Sequence, residues 1–240
     1  MNKLVAIMQP TFLPWIGYFS MMERVDEFVF LDHVQFNKRS WQQRNVILGN
    51  QGTQWLTVPV TSKGKREQII DDVAIDSTQG FPQKHLRSIK AQYSNAPFFK
   101  ELFPHLEEIF LSNENLCQLN EKLIGAICKI IDIQTPTIRS IDLYNKKEIS
   151  GTKDELICSI CIARGADAYL SAPGSKEYLE ANDLMGNKNI KIVYHAYNHP
   201  QYPQATSEFI PYLSIIDLIF NCGPNSLKIL KSGVSTEKSI

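Results

Sequence analysis

The chain has 240 residues, of which 43% are hydrophobic and 21% charged, and its 25 basic and 25 acidic side chains cancel. That apolar share suits a full core and excludes a disordered chain, while zero net charge gives no global pull toward a phosphate backbone or an anionic lipid surface, so nucleic acid is not an expected partner. The opening MNKLVAIMQPTF is too short in apolar residues for a secretory signal, no window approaches a membrane span, and the five cysteines lie in apolar surroundings; free buried thiols in the cytoplasm are the expectation.

Residues 1–47 read as a strand–helix–strand unit: a strand over 3–8, a Pro-bearing loop over 9–14, a helix over 15–25 and a strand over 27–31. This order implies a parallel pair with a right-handed crossover. Segments 43–48 and 54–60 flank Gly49-Asn50-Gln51-Gly52 and read as a β-hairpin. A charged, exposed loop follows at Lys63-Gly64-Lys65-Arg66. From 82 to 132 the pattern turns helical, with Leu116, Leu119, Leu123, Ile127 and Ile131 at three- and four-residue steps. Further on come a strand over 137–143, a helix opened by the capping-box pattern Thr152-Lys153-Asp154-Glu155 and closed by Gly165, and a strand over 168–171. A helix from about 174, a strand over 190–195 and a helix from Ser214 to about 221, ended by Gly223, complete the chain. The expected fold is α/β and Rossmann-like: a mostly parallel sheet with a β-hairpin, in one domain over 1–240 with a helical insert at about 82–132.

Open α/β sheets bind ligands beyond the carboxyl ends of their strands. That directs attention to the first loop, where Gln9, Pro10 and Thr11 are candidate binding residues and Gly17 lets a ligand or the sheet approach the helix start closely. The alternative there is a rigid loop with aromatic packing. The second strand end adds Asp32 as a candidate general base and Gln35, with Arg44 as a planar fork for carboxylate or phosphate and Asn45 beside it. Against these stand a cap or turn role for Asp32 and a surface charge for Arg44. His85 is the other candidate base; with Ile89 and Tyr93 it shares one helix face, and packing in the core is the commoner fate of such a histidine. Lys153 at a helix start can hold an anion, and Ser171 and Gly174 sit at a turn that suits phosphate without the P-loop spacing. His195 and His199 fall at or after a strand end, and Gln204, Tyr178, Tyr202, Asp217 and Asn221 add polar groups, Asp217 being equally suited to the Ser214 cap. No HExxH, His-x-His or paired Cys-x2-Cys unit is present, so no metal site is expected; Cys158 and Cys161 fall inside a helix and read as structural thiols. A Gly-x-Ser-x-Gly nucleophile is also missing.

The first strand, loop and helix resemble adenylyl-transferring nucleotidyltransferases of the α/β class, whose HxGH motif opens the first helix. The aligned residues here are Trp15-Ile16-Gly17-Tyr18. Both histidines are absent, so imidazolium stabilisation of a phosphate transition state is not available. A resemblance over nearly the whole chain is carried by QPTFLPWIGYF, FVFLDHVQFNKRSWQQRNVI, WLTVPV, AYLSAPGSKEYL, HPQYPQ and LSIIDLIFNCG; as an ordered set these resemble the WbqC-like family. The resemblance implies a part in O-antigen or other surface-polysaccharide biosynthesis.

The resulting expectation is an acyl- or aminoacyl-transferase acting on the amine of a nucleotide-linked amino sugar. Asp32 or His85 would take the amine proton, and Arg44, Lys153 or helix amides would hold phosphate or carboxylate. The donor stays open between ATP with magnesium and an acyl-CoA, and the oligomeric state is open too. The alternatives are a nucleotidyltransferase-like enzyme using a nucleoside triphosphate and a non-catalytic nucleotide-sugar-binding partner of glycan enzymes.

Overall fold

Five apolar residues without a turn former, Leu-Val-Ala-Ile-Met, make β1 (Leu4–Met8), the centre of a parallel sheet. The computed structural model describes residues 2–50, 52–180 and 183–234. Four further strands complete the sheet: β2 (Glu27–Phe30), β5 (Thr137–Arg139), β6 (Ala168–Ser171) and β7 (Lys191–Tyr194). Their spatial order is β5-β2-β1-β6-β7, with Val5 opposite Glu27 on one side and Tyr169 on the other. The chain thus builds outward from β1 in one direction, then returns to its other side and builds the opposite way. That reversal puts a topological switch point between β1 and β6.

The two faces of the sheet follow the alternation of side chains along each strand. Val5, Ile7, Val29 and Tyr169 pack under α5 (Ser140–Asn145), α6 (Lys153–Ala163) and α7 (Lys176–Glu180) through Leu143, Leu156, Ile160 and Leu179. Ala6, Phe28, Phe30 and Leu170 face the other layer, built from α1 (Ile16–Glu23), α2 (Gln83–Tyr93), α3 (Phe99–Leu111), α4 (Leu116–Ile130), α8 (Ile215–Cys222) and α9 (Ser226–Ser232). The antiparallel hairpin of β3 (Arg44–Gly49) and β4 (Gly52–Thr57) packs into this second layer through Ile47, Leu48 and Leu56; the turn residue Gln51 lies outside the described residues. In α4 the periodic set Leu116, Leu119, Leu123 and Ile127 is wholly buried, each side chain contributing about 1.5–3 kcal/mol.

Three local expectations are corrected. The strand anticipated over 137–143 stops at Arg139, and Ser140 begins a helix instead. The cause lies far away in sequence: the Asp32 carboxylate accepts the Ile141 N–H at 2.8 Å and the Ser140 hydroxyl at 2.9 Å, capping α5 from outside. Thr152 precedes α6 as expected but makes no side-chain cap bond, although Gly165 closes the helix end in the left-handed region at φ 61°. Helix α9 follows the last expected element. All five cysteines are buried and unpaired, and no described helix is long and apolar enough to cross a membrane.

Candidate functional site

The switch point opens into a cleft of about 310 Å³ between the ends of β1 and β6, lined by Gln9, Thr11, Trp41, Gln42, Ser171 and Ser175 with Ile157 of α6 behind them. Ser175 donates its hydroxyl to the Ala172 carbonyl at 2.6 Å, so the short contact between the two serine hydroxyls is a bond from Ser171 to Ser175. Gln9 accepts from Gln42 Nε2 at 2.8 Å through Oε1, and its own amide nitrogen has no partner among the described residues.

The loop 9–14 has no ladder to satisfy its carbonyls, and buried amide side chains do so instead. Asn120 Nδ2 donates to Pro10 and Gln42 carbonyls at 3.1 and 2.8 Å, and Asn45 Nδ2 donates to those of Phe12 and Leu13 at 3.1 and 2.8 Å. The Tyr18 hydroxyl reaches the Gln9 carbonyl at 3.1 Å. Leu13 is left-handed at φ 43°, a conformation costing a branched residue about 1–3 kcal/mol, which these bonds over-determine.

A second compartment of about 280 Å³ shares Met8, Thr11 and Trp41 with the first and is otherwise lined by Pro14, Trp15, Tyr18, Asn45 and Tyr212. Its wall depends on Gly17. A Cβ there would stand 2.3 Å from the Trp15 ring, so the absence of one lets the indole fold back over the start of α1. The ring is then fixed by Tyr197 at 5.8 Å, a stacked His199 at 6.0 Å and Tyr212 at 5.5 Å. Tyr212 is itself left-handed at φ 62° and 61% exposed at the rim. One compartment therefore sets hydroxyls and amides among apolar residues such as Ile7, Leu31 and Ile157, the other is largely aromatic, and Trp41 lines both.

A family model described as the WbqC-like protein family matches residues 9–229. The chain belongs to the WbqC-like protein family. A curated relative, "Uncharacterized protein Rv1507c" of Mycobacterium tuberculosis (strain ATCC 25618 / H37Rv), is 35% identical over 232 residues, covering 95% of this chain and 98% of the relative. No solved structure matches the chain.

In this WbqC-like chain Gln9, Thr11 and Ser171 line the cleft, Thr11 and Asn45 line the aromatic compartment, Pro10 belongs to the loop between them, and Gly17 shapes the Trp15 wall. Gly174 is exposed in the turn beside Ser175, with open space where a Cβ would stand. Lys153 is exposed at the first residue of α6, left-handed at φ 51°, and lines neither compartment. The other candidates lie elsewhere. Asp32 is fully buried, with Oδ2 on Arg139 Nε at 2.7 Å and Oδ1 on α5. Arg139 also pairs with Asp71 and with Glu121, the latter at 3.1 Å. Asp32 and Asp71 with Cys117 bring ligand-type atoms within 4.8 Å of one another, yet the Arg139 guanidinium already supplies the cation between the carboxylates. Burial holds Glu121 above the usual carboxylate range against the pull of Arg139.

His85 packs edge-on against Phe12 and Phe81, and burial pushes its imidazole down to about 4. Tyr93 accepts the Leu48 N–H at 3.0 Å and ties α2 to the hairpin. Gln35 is exposed and bonds the Arg66 carbonyl at 2.7 Å, while Arg44 lies over the Trp55 ring at 4.4 Å. His195 Nδ1 lies 3.0 Å from the Arg24 guanidinium. Arginine only donates, so the ring proton sits on Nε2, and burial, helped by Arg24, pushes this group also down to about 4. Gln204 bonds both backbone groups of Ile210 and donates to Asp217 Oδ2 at 2.8 Å, holding the loop against α8. The Tyr178 side chain lies outside the described residues. Sequence reasoning passed over Asn120, Arg139 and Tyr212. Asn120 had a signal: it is the polar residue on the apolar face that Leu116 and Leu123 define.

Proposed function

We propose that the cleft binds a nucleotide-linked amino sugar and that the chain transfers an acyl or aminoacyl group to the sugar's amine in surface-polysaccharide assembly. The observation that carries this reading is the divided cleft at the switch point. Aromatic faces around Trp15, Trp41 and Tyr212 suit a planar base, and the hydroxyls and amides of Gln9, Thr11, Ser171 and Ser175 suit sugar and phosphate oxygens.

Neither compartment is lined by a carboxylate or an imidazole. This suits a step in which the nucleophile enters as the free amine: its nitrogen lone pair attacks the acyl carbonyl, the bond to the donor breaks, and the amine proton leaves with the donor group or to water. The lining then acts by orientation and by hydrogen bonds to the developing oxyanion. Asp32 and His85 serve by holding structure in this reading.

Calorimetry with UDP- and dTDP-linked amino sugars tests it. Thr11→Val and Trp41→Ala should each weaken binding by about tenfold, about 1.4 kcal/mol, and mass spectrometry of the sugar should show the added acyl group when acetyl-CoA, or ATP with magnesium and a carboxylic acid, is supplied. The proposal is overturned when no nucleotide sugar binds or when both variants bind as the parent does. A nucleotidyltransfer reading draws on one specific observation: Trp15 and Tyr18, at the positions of the two motif histidines, both line the aromatic compartment. Pyrophosphate released from ATP, CTP or UTP would move the function to that chemistry.

A further inference from the structure

A side-chain amide carries a donor on one arm and an acceptor on the other, and the arm that faces a ligand is settled when a partner of known polarity holds the opposite one. Gln9 is held in this way through Gln42. A backbone N–H can only donate, so the Gln42 atom that takes the Asn37 N–H at 3.0 Å is the side-chain oxygen. The Gln42 nitrogen therefore lies on the other arm and donates to Gln9 at 2.8 Å, which makes the atom it reaches the Gln9 oxygen. Gln9 keeps its NH2 group for the cleft.

Both residues are anchored. Gln42 is 1% exposed and its carbonyl accepts Asn120 Nδ2 at 2.8 Å, while the Gln9 carbonyl accepts the Tyr18 hydroxyl at 3.1 Å. Gln9 is half-buried on the cleft lining. Its Nε2 has no partner among the described residues and is not one of the partnerless polar atoms sealed from solvent, so a ligand can reach it. Thr11 and Ser40 on the same lining carry hydroxyls that rotate to give or to take a proton. Gln9 only gives.

We propose that Gln9 holds the carbonyl oxygen of the acyl group that the chain transfers; the assignment rests on the acyl-transfer reading of the cleft. A donor of fixed polarity selects for groups that only accept. Sugar hydroxyls adapt to either role and a protonated amine accepts nothing, which leaves carbonyl and phosphate oxygens. Neither compartment is lined by a cation, so at Gln9 the carbonyl, neutral until the amine attacks it, is the better match. As the amine lone pair forms the C–N bond, the carbonyl π pair moves onto the oxygen that Gln9 holds. Its return breaks the bond to the donor group, which leaves with that bond's electron pair, and the amine proton follows it or passes to water.

Two kinds of probe that differ by one acyl group test this contact: UDP- and dTDP-linked amino sugars with a free amine, and the same sugars N-acetylated. In nitrogen–proton NMR of the parent chain, the Gln9 NH2 pair, identified by its loss in Gln9→Met, should shift saturably with the N-acetyl sugar and much less with the amine sugar. Gln9→Glu sets a carboxylate oxygen where the NH2 group stood. By calorimetry it should cost the N-acetyl sugar at least about tenfold more affinity than the amine sugar. Gln9→Met removes the donor without adding charge and should show the same selective loss, and the parent spectra stand whether or not either variant folds well. An NH2 pair unmoved by a bound N-acetyl sugar overturns the assignment. So does equal weakening of both sugars, which would put the diphosphate at Gln9. In both of those cases the cleft reading survives, whereas no binding by any of the sugars overturns that reading and this assignment with it.

Discussion

Replacing Gly17 by alanine sets two effects of opposite sign against each other. Gly17 is the second residue of α1, and alanine there gains at most about 1 kcal/mol of helix propensity. Propensity alone therefore predicts a more stable protein. Packing predicts the reverse, because the new methyl would stand 2.3 Å from two atoms of the Trp15 ring and 2.8 Å from a third, where ordinary contact begins near 3.4 Å. The indole cannot swing away freely, since Tyr197, His199 and Tyr212 all pack against it. Overpacking of this kind costs about 1–3 kcal/mol, and an approach this close belongs in the upper half of that range. The net expectation is a loss of about 1–2 kcal/mol, which for a chain of this size lowers the melting temperature by about 2–8 °C. Thermal and urea unfolding followed by far-ultraviolet circular dichroism measure it. A variant that melts at or above the parent temperature would refute the claim that the missing Cβ exists to seat Trp15. The displaced ring should also deform the aromatic compartment, so ligands that occupy it should bind more weakly to the variant.

Asp32→Asn should destabilise by about 2 kcal/mol, less than the usual about 3–5 for breaking a buried pair, because Arg139 keeps Asp71 and Glu121 and the amide oxygen still caps α5; full stability with lost turnover would instead make Asp32 a base. Asn120→Ala leaves the Pro10 and Gln42 carbonyls without their donor and should cost about 2–4 kcal/mol in urea unfolding; an unchanged midpoint would show that the loop 9–14 holds without it. His85 and His195 are pushed from 6.5 to about 4 in the folded chain. The unfolded chain therefore binds more protons between those values, so stability is present above the window and falls as pH drops through it, on the order of 3 kcal/mol for each histidine. His195→Gln should flatten the pH dependence of the urea midpoint in that window, and parallel curves for parent and variant would rule His195 out as a contributor.

Much of the framework is legible locally. β1, β2 and β6 are short apolar runs bounded by polar or turn residues, and the α4 face repeats at helical spacing, so each declares itself within its own window. Helix α5 does not. Its start is written in Asp32, whose carboxylate receives Ile141 across 109 residues, and the β-branched Thr137, Ile138 and Ile141 taken alone favour a strand. The site shows the same division. Gln9, Thr11 and Ser171 follow from the rule that strand ends carry ligands, while Tyr212 comes to the rim only through the loop that Gln204 pins to Asp217. The Asp32 carboxylate looked free in sequence because its partner Arg139 arrives from another strand. His85 was legible as a buried helix residue, but the closing of both its ring nitrogens from solvent follows from packing against Phe12 and Phe81, which come from other parts of the chain.

The chain has three tryptophans, Trp15, Trp41 and Trp55; Trp15 and Trp41 line the cleft, and Trp55 packs on Trp41 at 5.5 Å. Its indole emission therefore originates from the ligand-facing side of the molecule, with no indole in the distant core. Trp41 and Trp55 lie close enough to exchange excitation, and the Arg44 guanidinium over the Trp55 ring and the His199 ring stacked on Trp15 set the local fields that tune each emission. A ring stacked beside Trp41 would change the colour and yield of that emission, so the unlabelled protein is its own optical sensor for what the cleft binds.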